Sequence, residues 1–357
     1  MDINKCIACG LCAEKCPRKV DDEYNQALGK RKAIYVQYPQ AVPLKYCIDV
    51  ENCIFFEKGK CKACEKFCPA GAINFEDTEK ELTLNVGSIV VCPGFETYDP
   101  GVHDTYGYKS SPNIVTSLEF ERILASSGPY GGHLVRPSDG KEPDKIAWIQ
   151  CVGSRDVHAG ANPFCSSACC THAVKEALVA KDHKKGDLDT AIFYIDVRTF
   201  GKDYERYYNR AKDKEGVRFI KSKVAAIATN TDTGNLLVRY TDEAGARAEE
   251  EFDLVVLSVG YAVSQGAADL AQRIGIDLDT HRFPVSDTFV PVQASRPGIF
   301  VAGCFHSPKD IPSSVTDASA AAASAGALLS EARFTRSKVK ELPPEIPLLR
   351  SGASVLE

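Results

Sequence analysis

The sequence has no pair of glycines two positions apart, although it contains 26 glycines. The glycine fingerprint of a dinucleotide-binding turn, G-x-G-x-x-G, is therefore absent throughout. That fingerprint allows a tight turn and a close backbone approach to a pyrophosphate, so its absence excludes a complete site of this type within the sequence. Apolar runs of roughly 20 residues, as a membrane span needs, are also absent, and so is the apolar core of a signal peptide. We therefore expect a cytoplasmic protein.

The sequence also has no excess of basic residues, with 43 Lys and Arg against 48 Asp and Glu and a pI near 5.9. This balance gives no electrostatic reason to expect nucleic acid or an anionic membrane as a partner. The 357 residues are enough for two domains. The unusual component is cysteine, of which there are 15. Because cytosolic thiols are kept reduced, these cysteines indicate metal or redox centres rather than disulfides.

The amino-terminal segment CIACGLCAEKCP has the spacing C-x-x-C-x-x-C-x-x-x-C-P of bacterial ferredoxins. A second run, Cys53 followed by CKACEKFCP, ends in the same Cys-Pro pair. In two-cluster ferredoxins, three closely spaced thiolates bind one [4Fe-4S] cluster and the cysteine before the proline binds the other. We therefore predict two clusters, one on Cys6, Cys9, Cys12 and Cys68, and one on Cys16, Cys53, Cys61 and Cys64.

Two alternatives stay open for these cysteines. Paired C-x-x-C motifs also bind structural zinc, although two runs that each end in Cys-Pro favour clusters. The gap between Cys53 and Cys61 also departs from the usual spacing, and Cys47 is the only nearby replacement for Cys53.

A third group of cysteines lies where an α/β chain normally binds nucleotide phosphates. The strand-like KIAWIQCV is followed by a loop and by a helix predicted from about Ser166. This region carries Cys151, Cys165, Cys169 and Cys170. Since thiols fill the position of the glycine turn, we predict a third [4Fe-4S] cluster there. Adjacent ligands are unusual, so the alternative is that Cys169 and Cys170 are buried apolar residues.

Alternating strands and helices, such as TAIFYIDVR, KDYERYYNRAK and FDLVVLSVG, predict a dinucleotide-type domain in the middle of the chain. The segments LTLNVGSIVVCPGFETYDP and RPGIFVAGC, with an alanine-rich helix from about Pro312, resemble the FAD domain of thioredoxin reductase-type flavoproteins. We assign Cys92 and Cys304, at the ends of those strands, to packing.

We therefore predict an α/β, thioredoxin reductase-like flavoprotein fold with an incomplete FAD domain and an N-terminal ferredoxin module. The predicted divisions are the module with two clusters at 1–81, the partial FAD domain at 82–104 and 256–332, the domain carrying the third cluster at 105–255, and a tail at 333–357.

Longer segments resemble one family, the A subunits of heterodisulfide reductases, which are flavin and iron-sulfur proteins of anaerobes. They include YPQAVPLKY, SLEFER, GGHLVRPSDGKEPDKIAWIQCVGSRD, FCSSACC, YIDVRTFGK and FVAGCFHSPKDIP, and the similarity covers about residues 1 to 332. The resemblance implies an FAD that splits electron pairs between a low-potential and a high-potential acceptor. It also implies that the third cluster lies beside the flavin. Shortened forms resemble the corresponding subunit of the tungsten-dependent class II benzoyl-CoA reductase.

The resemblance also implies residues that act on the flavin. Those expected to contact FAD are Gly94, Gly303, Lys309, Asp310 and Ile311. Lys175 and Glu121 are the expected catalytic pair, with Lys175 at flavin N5 and Glu121 holding the proton that accompanies reduction. A solvated helix face is the ordinary alternative for both.

We therefore expect an electron-transfer subunit of a flavin-based electron-bifurcating oxidoreductase complex, with three [4Fe-4S] clusters and no substrate site of its own. The family's amino-terminal part with its FAD fingerprint is missing from this sequence, so a partner chain is expected to bind the ADP half of FAD. Ferredoxin or another iron-sulfur protein is the expected electron partner. The alternatives are a zinc-stapled interaction protein and a flavin-free iron-sulfur wiring subunit.

Overall fold

The computed structural model describes residues 1–184 and 186–330, so the predicted tail at 333–357 lies outside the described residues. The chain forms two compact units. Unit 1 comprises Met1–Thr83, Phe95–Ser264 and Pro308–Asp310. Unit 2 comprises Leu84–Gly94, Gln265–Ser307 and the chain from Ile311 onward.

The strands are β1 (Lys19–Asp21), β2 (Lys30–Lys32), β3 (Ile34–Tyr35), β4 (Cys47–Ile48), β5 (Ile89–Val91), β6 (Glu96–Thr97), β7 (Ile114–Thr116), β8 (Lys145–Val152), β9 (Asp189–Tyr194), β10 (Arg218–Lys221), β11 (Ala226–Thr229), β12 (Leu236–Thr241), β13 (Arg247–Phe252), β14 (Leu254–Val259), β15 (Tyr261–Ala262), β16 (Ser286–Asp287), β17 (Val290–Ala294) and β18 (Ile299–Val301). The helices are α1 (Leu11–Glu14), α2 (Ile54–Lys58), α3 (Ala63–Lys66), α4 (Ser117–Leu124), α5 (Cys169–His183), α6 (Tyr204–Asp213), α7 (Gln265–Ile274) and α8 (Ile311–Leu329).

The main sheet of unit 1 is parallel throughout, with strand order β10-β9-β8-β14-β7. Every residue of β14 is buried, as expected for a parallel sheet that is covered on both faces. Helices α4 and α5 cover one face, where Phe120 and Val174 pack with Trp148 in one core cluster. The antiparallel strands β11 to β13 supply Val238 and Phe252 to a second core cluster. This architecture confirms the predicted α/β class, and β8 matches the predicted strand KIAWIQCV at both ends.

Local backbone chemistry sets where the two helices beside this sheet begin. Helix α4 begins after a capping box, in which the Thr116 hydroxyl accepts the Glu119 N–H and the Glu119 carboxylate accepts the Thr116 N–H. Helix α5 begins at Cys169, three residues later than predicted. The reason is that Ser167 has a φ of 62°, a left-handed conformation that an α-helix does not contain.

The amino-terminal part of unit 1 has short helices and two small hairpins, β1-β2 and β3-β4. Its core contains Ile34, Ile73 and Phe75 packed with cysteines of both motifs. The guanidinium of Arg122, on α4, lies 4.6 Å from the centre of the Tyr24 ring. Arg122 Nε also donates to Asn25 Oδ1 at 2.9 Å. These contacts join the cysteine-rich segment to α4 within unit 1.

Unit 2 contains a sheet of order β16-β17-β18-β5, in which β18 and β5 are parallel. Ala321 and Ala325 of α8 pack with Phe300 and Val292 of this sheet. Small side chains let the helix lie close to the strands. The alanine-rich helix predicted from about Pro312 thus begins at Ile311.

The strand β14 runs across the predicted domain boundary between residues 255 and 256. The domain division stays a prediction. In the described part of the chain, we find no helix with both the length and the apolar character that a bilayer crossing requires.

Candidate metal centres

The first predicted group of ferredoxin cysteines surrounds one cavity. It is lined by Cys6, Cys9, Cys12 and Cys68, together with Tyr46. Burial raises the pKa of the Cys12 thiol to about 11. A thiol with such a pKa stays protonated at neutral pH unless a metal stabilises the thiolate. The backbone N–H of Ala72 points at Cys68 Sγ from 3.3 Å, a contact that stabilises negative charge on sulfur.

The second predicted group surrounds a separate cavity. It is lined by Cys16, Cys53, Cys61 and Cys64, together with Phe55 and Phe75. Burial raises the pKa of Cys64 to about 11 as well. Cys47 lines neither cavity, and its thiol lies 3.5 Å from the carbonyl oxygen of Tyr35. The structure therefore groups Cys53, and not Cys47, with the other three. The binding of iron by both groups stays a prediction.

The third predicted group meets at the junction of β8 and α5. The buried thiol of Cys169 hydrogen bonds to the thiols of Cys151 and Cys170, and Cys165 lies close enough to interact electrostatically with Cys151. The hydrogen bonds from Cys151 and Cys170 hold the pKa of Cys169 well below its usual value. The same bonds raise the pKa of Cys151 and Cys170. The structure thus gathers these thiols into one donor set, and its ligand stays a prediction.

This donor set lies where a dinucleotide would place its phosphates. Cys151 is at the carboxyl end of β8, and the next strand along the chain, β9, lies on one side of β8 while β14 lies on the other. Ligands of open α/β sheets bind at this edge. Cys151 has a φ of 61° and Gly153 a φ of 70°, so the loop turns sharply there. The Tyr98 ring lies so close to Gly153 that an added Cβ would be 2.1 Å from it.

Two arginines lie beside the third group, and sequence reasoning missed both. Arg155 Nη1 donates to Asp196 Oδ1 at 2.6 Å, and Arg198 Nε donates to the same oxygen at 3.2 Å. The Arg198 guanidinium also hydrogen bonds to Cys165. Positive charge here favours thiolates. The available signal was the position of both arginines just after the carboxyl ends of β8 and β9.

Lys175 and Glu121, the predicted catalytic pair, are in direct contact. Lys175 Nζ donates to Glu121 Oε1 at 2.8 Å, which joins α5 to α4. His172 Nε2 lies 2.5 Å from the other oxygen of Glu121. The His172 hydrogen bond, assisted by Lys175, holds the pKa of Glu121 at about 2. Sequence reasoning missed His172, and the roles of Lys175 and Glu121 stay a prediction.

The residues expected to contact FAD lie in both units. In unit 2, Gly94 and Gly303 have φ values of 81° and 72°, which glycine adopts without strain. They follow β5 and β18, which are adjacent parallel strands, so both strand ends lie at the same sheet edge. Ile311 begins α8 and is exposed. Lys309 and Asp310 belong to unit 1, where the Lys309 N–H and the Tyr261 hydroxyl are hydrogen bonded.

Two family models match this chain. One, described as 4Fe-4S binding domain, matches residues 1–20. The other, described as pyridine nucleotide-disulphide oxidoreductase, matches residues 187–322. The chain therefore contains an iron-sulfur motif and an oxidoreductase domain of a flavin-binding class. The second match begins beyond the loop that carries the third group of cysteines.

Curated relatives match almost the whole chain. The iron-sulfur A subunit of the CoB--CoM heterodisulfide reductase of Methanocaldococcus jannaschii is 40% identical over 97% of this chain and 52% of that protein. A counterpart from Methanopyrus kandleri, the second of its two A subunits, is 45% identical over 92% of this chain and 50% of that protein. The A subunit of the H(2)/formate:CoB-CoM heterodisulfide,ferredoxin reductase of Methanococcus maripaludis is 42% identical over 94% and 50%. The chain spans about half the length of the curated relatives it matches.

Among solved structures, thioredoxin reductase of Lactococcus lactis is 16% identical, covers 84% of this chain and 86% of that chain, and gives a TM-score of 0.44. This likeness is too low to carry an argument.

Proposed function

Since this chain belongs to the family of heterodisulfide reductase A subunits, over the half of those proteins that it spans, we propose that it is an electron-transfer subunit of a flavin-based electron-bifurcating oxidoreductase complex. The observation that carries the proposal is the third group of cysteines. It replaces the nucleotide turn at the carboxyl end of β8, in a domain class that otherwise binds a dinucleotide there.

The donor sets in unit 1 fit three [4Fe-4S] clusters. Each of the three groups provides four cysteines, and each group is partly buried in a cavity or a core. When bound, such clusters supply one-electron transfer, and the flavin joins one-electron to two-electron chemistry. In this proposal, Arg155 and Arg198 stabilise the anionic third group, and backbone N–H groups do the same for Cys68 and Cys165.

For the flavin, we propose a site shared with residues outside this sequence. Gly94, Gly303 and Lys309 with its two following residues contact the isoalloxazine and ribityl end. The ADP half requires a glycine turn that this sequence does not contain, so a partner chain binds it. The other partners are the remaining subunits of the complex and a ferredoxin or similar iron-sulfur protein. Flavin analysis of the intact complex tests this arrangement, because clusters at full occupancy without FAD would identify a flavin-free wiring subunit.

Replacing Lys175 with alanine should shift both one-electron potentials of the flavin and uncouple the two electron paths. Lys175 and Glu121 form an ion pair between α5 and α4, and a lysine cation at N5 would stabilise the anionic reduced flavin. Potentiometry on the complex measures this shift, with FAD and iron content unchanged. Lys212→Ala, an exposed lysine on α6, is the matched control. Unaltered flavin potentials in Lys175→Ala would assign Lys175 to the ordinary charged surface.

NADH should neither bind to this chain nor reduce it directly. The loop after β8 is occupied by thiols, and the Tyr98 ring lies against Gly153 where a pyrophosphate would approach the backbone. The loop therefore offers no anion-binding nest. Stopped-flow mixing with NADH, monitored by cluster absorbance, should show no rapid bleaching. Bleaching within the mixing time would contradict this prediction.

A further inference from the structure

Helix α5 carries a buried carboxyl group six residues beyond Cys170. The side chain of Glu176 is 1% exposed, and its Oε2 accepts the indole N–H of Trp148 at 3.0 Å. Among the described residues, its Oε1 has no hydrogen-bond partner, and it faces His172 Nε2 at 3.4 Å. Removing a carboxylate from water with so few partners is unfavourable. The site therefore favours the protonated acid over part of the physiological pH range.

The charged groups around Glu176 are few. His172 and Lys175 face it from the same helix, and Glu121 faces it from α4, while β8 contributes only the neutral indole. His172 is also bonded to Glu121, at 2.5 Å, so Glu176 shares its nearest cationic partner. Burial, opposed by His172, raises the pKa of Glu176 to about 7. A small change in the local field is therefore enough to change its protonation.

The third group of cysteines is close enough to supply such a change. Cys170 and Glu176 lie on the same helix, about 9 Å apart along its axis at 1.5 Å per residue. At an effective dielectric constant of ~20, one added charge at this distance changes the proton affinity of a carboxylate by about tenfold. The intervening protein is packed and contains Ala173 and Val174, which are buried.

We propose that Glu176 is a redox-linked proton-loading site for the third cluster. When the cluster takes one electron, Glu176 takes one proton from water, and when the electron leaves, Glu176 returns the proton. The proton on Glu176 offsets the charge of the added electron, so the net charge of the region is unchanged. This inference rests on the proposed function, because it requires a cluster on the third group of cysteines.

The first experiment measures the reduction potential of the third cluster against pH in the intact, cluster-loaded protein, by electron paramagnetic resonance. The wild-type potential should fall as pH rises between about 7 and about 8, because proton uptake favours reduction below the pKa of the reduced state. It should be level on both sides of this window. Glu176→Gln should retain its iron and lose the slope. Asp182→Asn, which removes an exposed carboxylate from the same helix, should keep the slope.

The second experiment uses Trp148, the only tryptophan in the sequence, as a reporter. Ultraviolet resonance Raman spectra of the oxidised protein should show the indole N–H bond changing with a midpoint near pH 7 in the wild type, and no change in Glu176→Gln. A constant indole signal from pH 5 to 9, or a pH-dependent potential in Glu176→Gln, would overturn the inference. A level wild-type potential would overturn it too, even if the variant does not fold. Absence of a third cluster in the wild type would overturn the proposed function as well.

Discussion

Replacing Cys170 with alanine should remove about four of about twelve irons from this chain, since a cubane that loses one thiolate ligand loses its site. Cys170 is buried at the first turn of α5, in hydrogen-bonding contact with Cys169. The clusters of the ferredoxin motif should persist, because their cysteines line two separate cavities. Cys169→Ala should behave in the same way. Iron and acid-labile sulfide analysis after anaerobic reconstitution measures the loss.

The matched control for these variants is Cys92→Ala. Cys92 is exposed and belongs to none of the three groups, so its replacement should leave the iron content unchanged. If Cys169→Ala and Cys170→Ala also keep all their iron, both residues are core residues rather than ligands, and the third cluster is wrong.

Cys12→Ala and Cys64→Ala should each remove about four irons, and the two variants should lose different clusters. Each of these cysteines is buried, and each lines only one of the two cavities of the ferredoxin motif. Electron paramagnetic resonance of the reduced protein should show one altered signal in Cys12→Ala and a different one in Cys64→Ala.

Cys47→Ala is the control for this pair, because Cys47 is exposed and lies outside both cavities. It should keep all its iron. A loss of iron in Cys47→Ala would place Cys47, rather than Cys53, among the ligands. Full occupancy by zinc in the wild type would favour the zinc-stapled alternative.

The sequence was most informative where spacing along the chain decides the geometry. The cysteine runs predicted which thiols share a cavity, including the exchange of Cys16 and Cys68 between the two runs. The apolar run KIAWIQCV predicted β8 at both ends, because strands of parallel sheets are buried on both faces. The prediction of the α5 start was less accurate, because nothing in the sequence signals the left-handed conformation of Ser167.

The sequence was uninformative where long-range contacts decide the chemistry. Trp148 and Glu176 are 28 positions apart, and Glu121 and His172 are 51 apart. The burial of Glu176 depends on how α5 packs on α4 and on the sheet, and no local pattern encodes that packing. Helical spacing alone suggested an ordinary charged face for Lys175 and Glu176, since both residue types are usually solvated.

The central claim is that this chain holds three [4Fe-4S] clusters, and a metal and sulfide count on the full chain tests it most directly. After anaerobic reconstitution, we expect about twelve irons and about twelve acid-labile sulfides per chain, with three cluster signals after stepwise reduction. A count of about eight irons with two signals would contradict the third cluster, and zinc in place of iron would contradict all three.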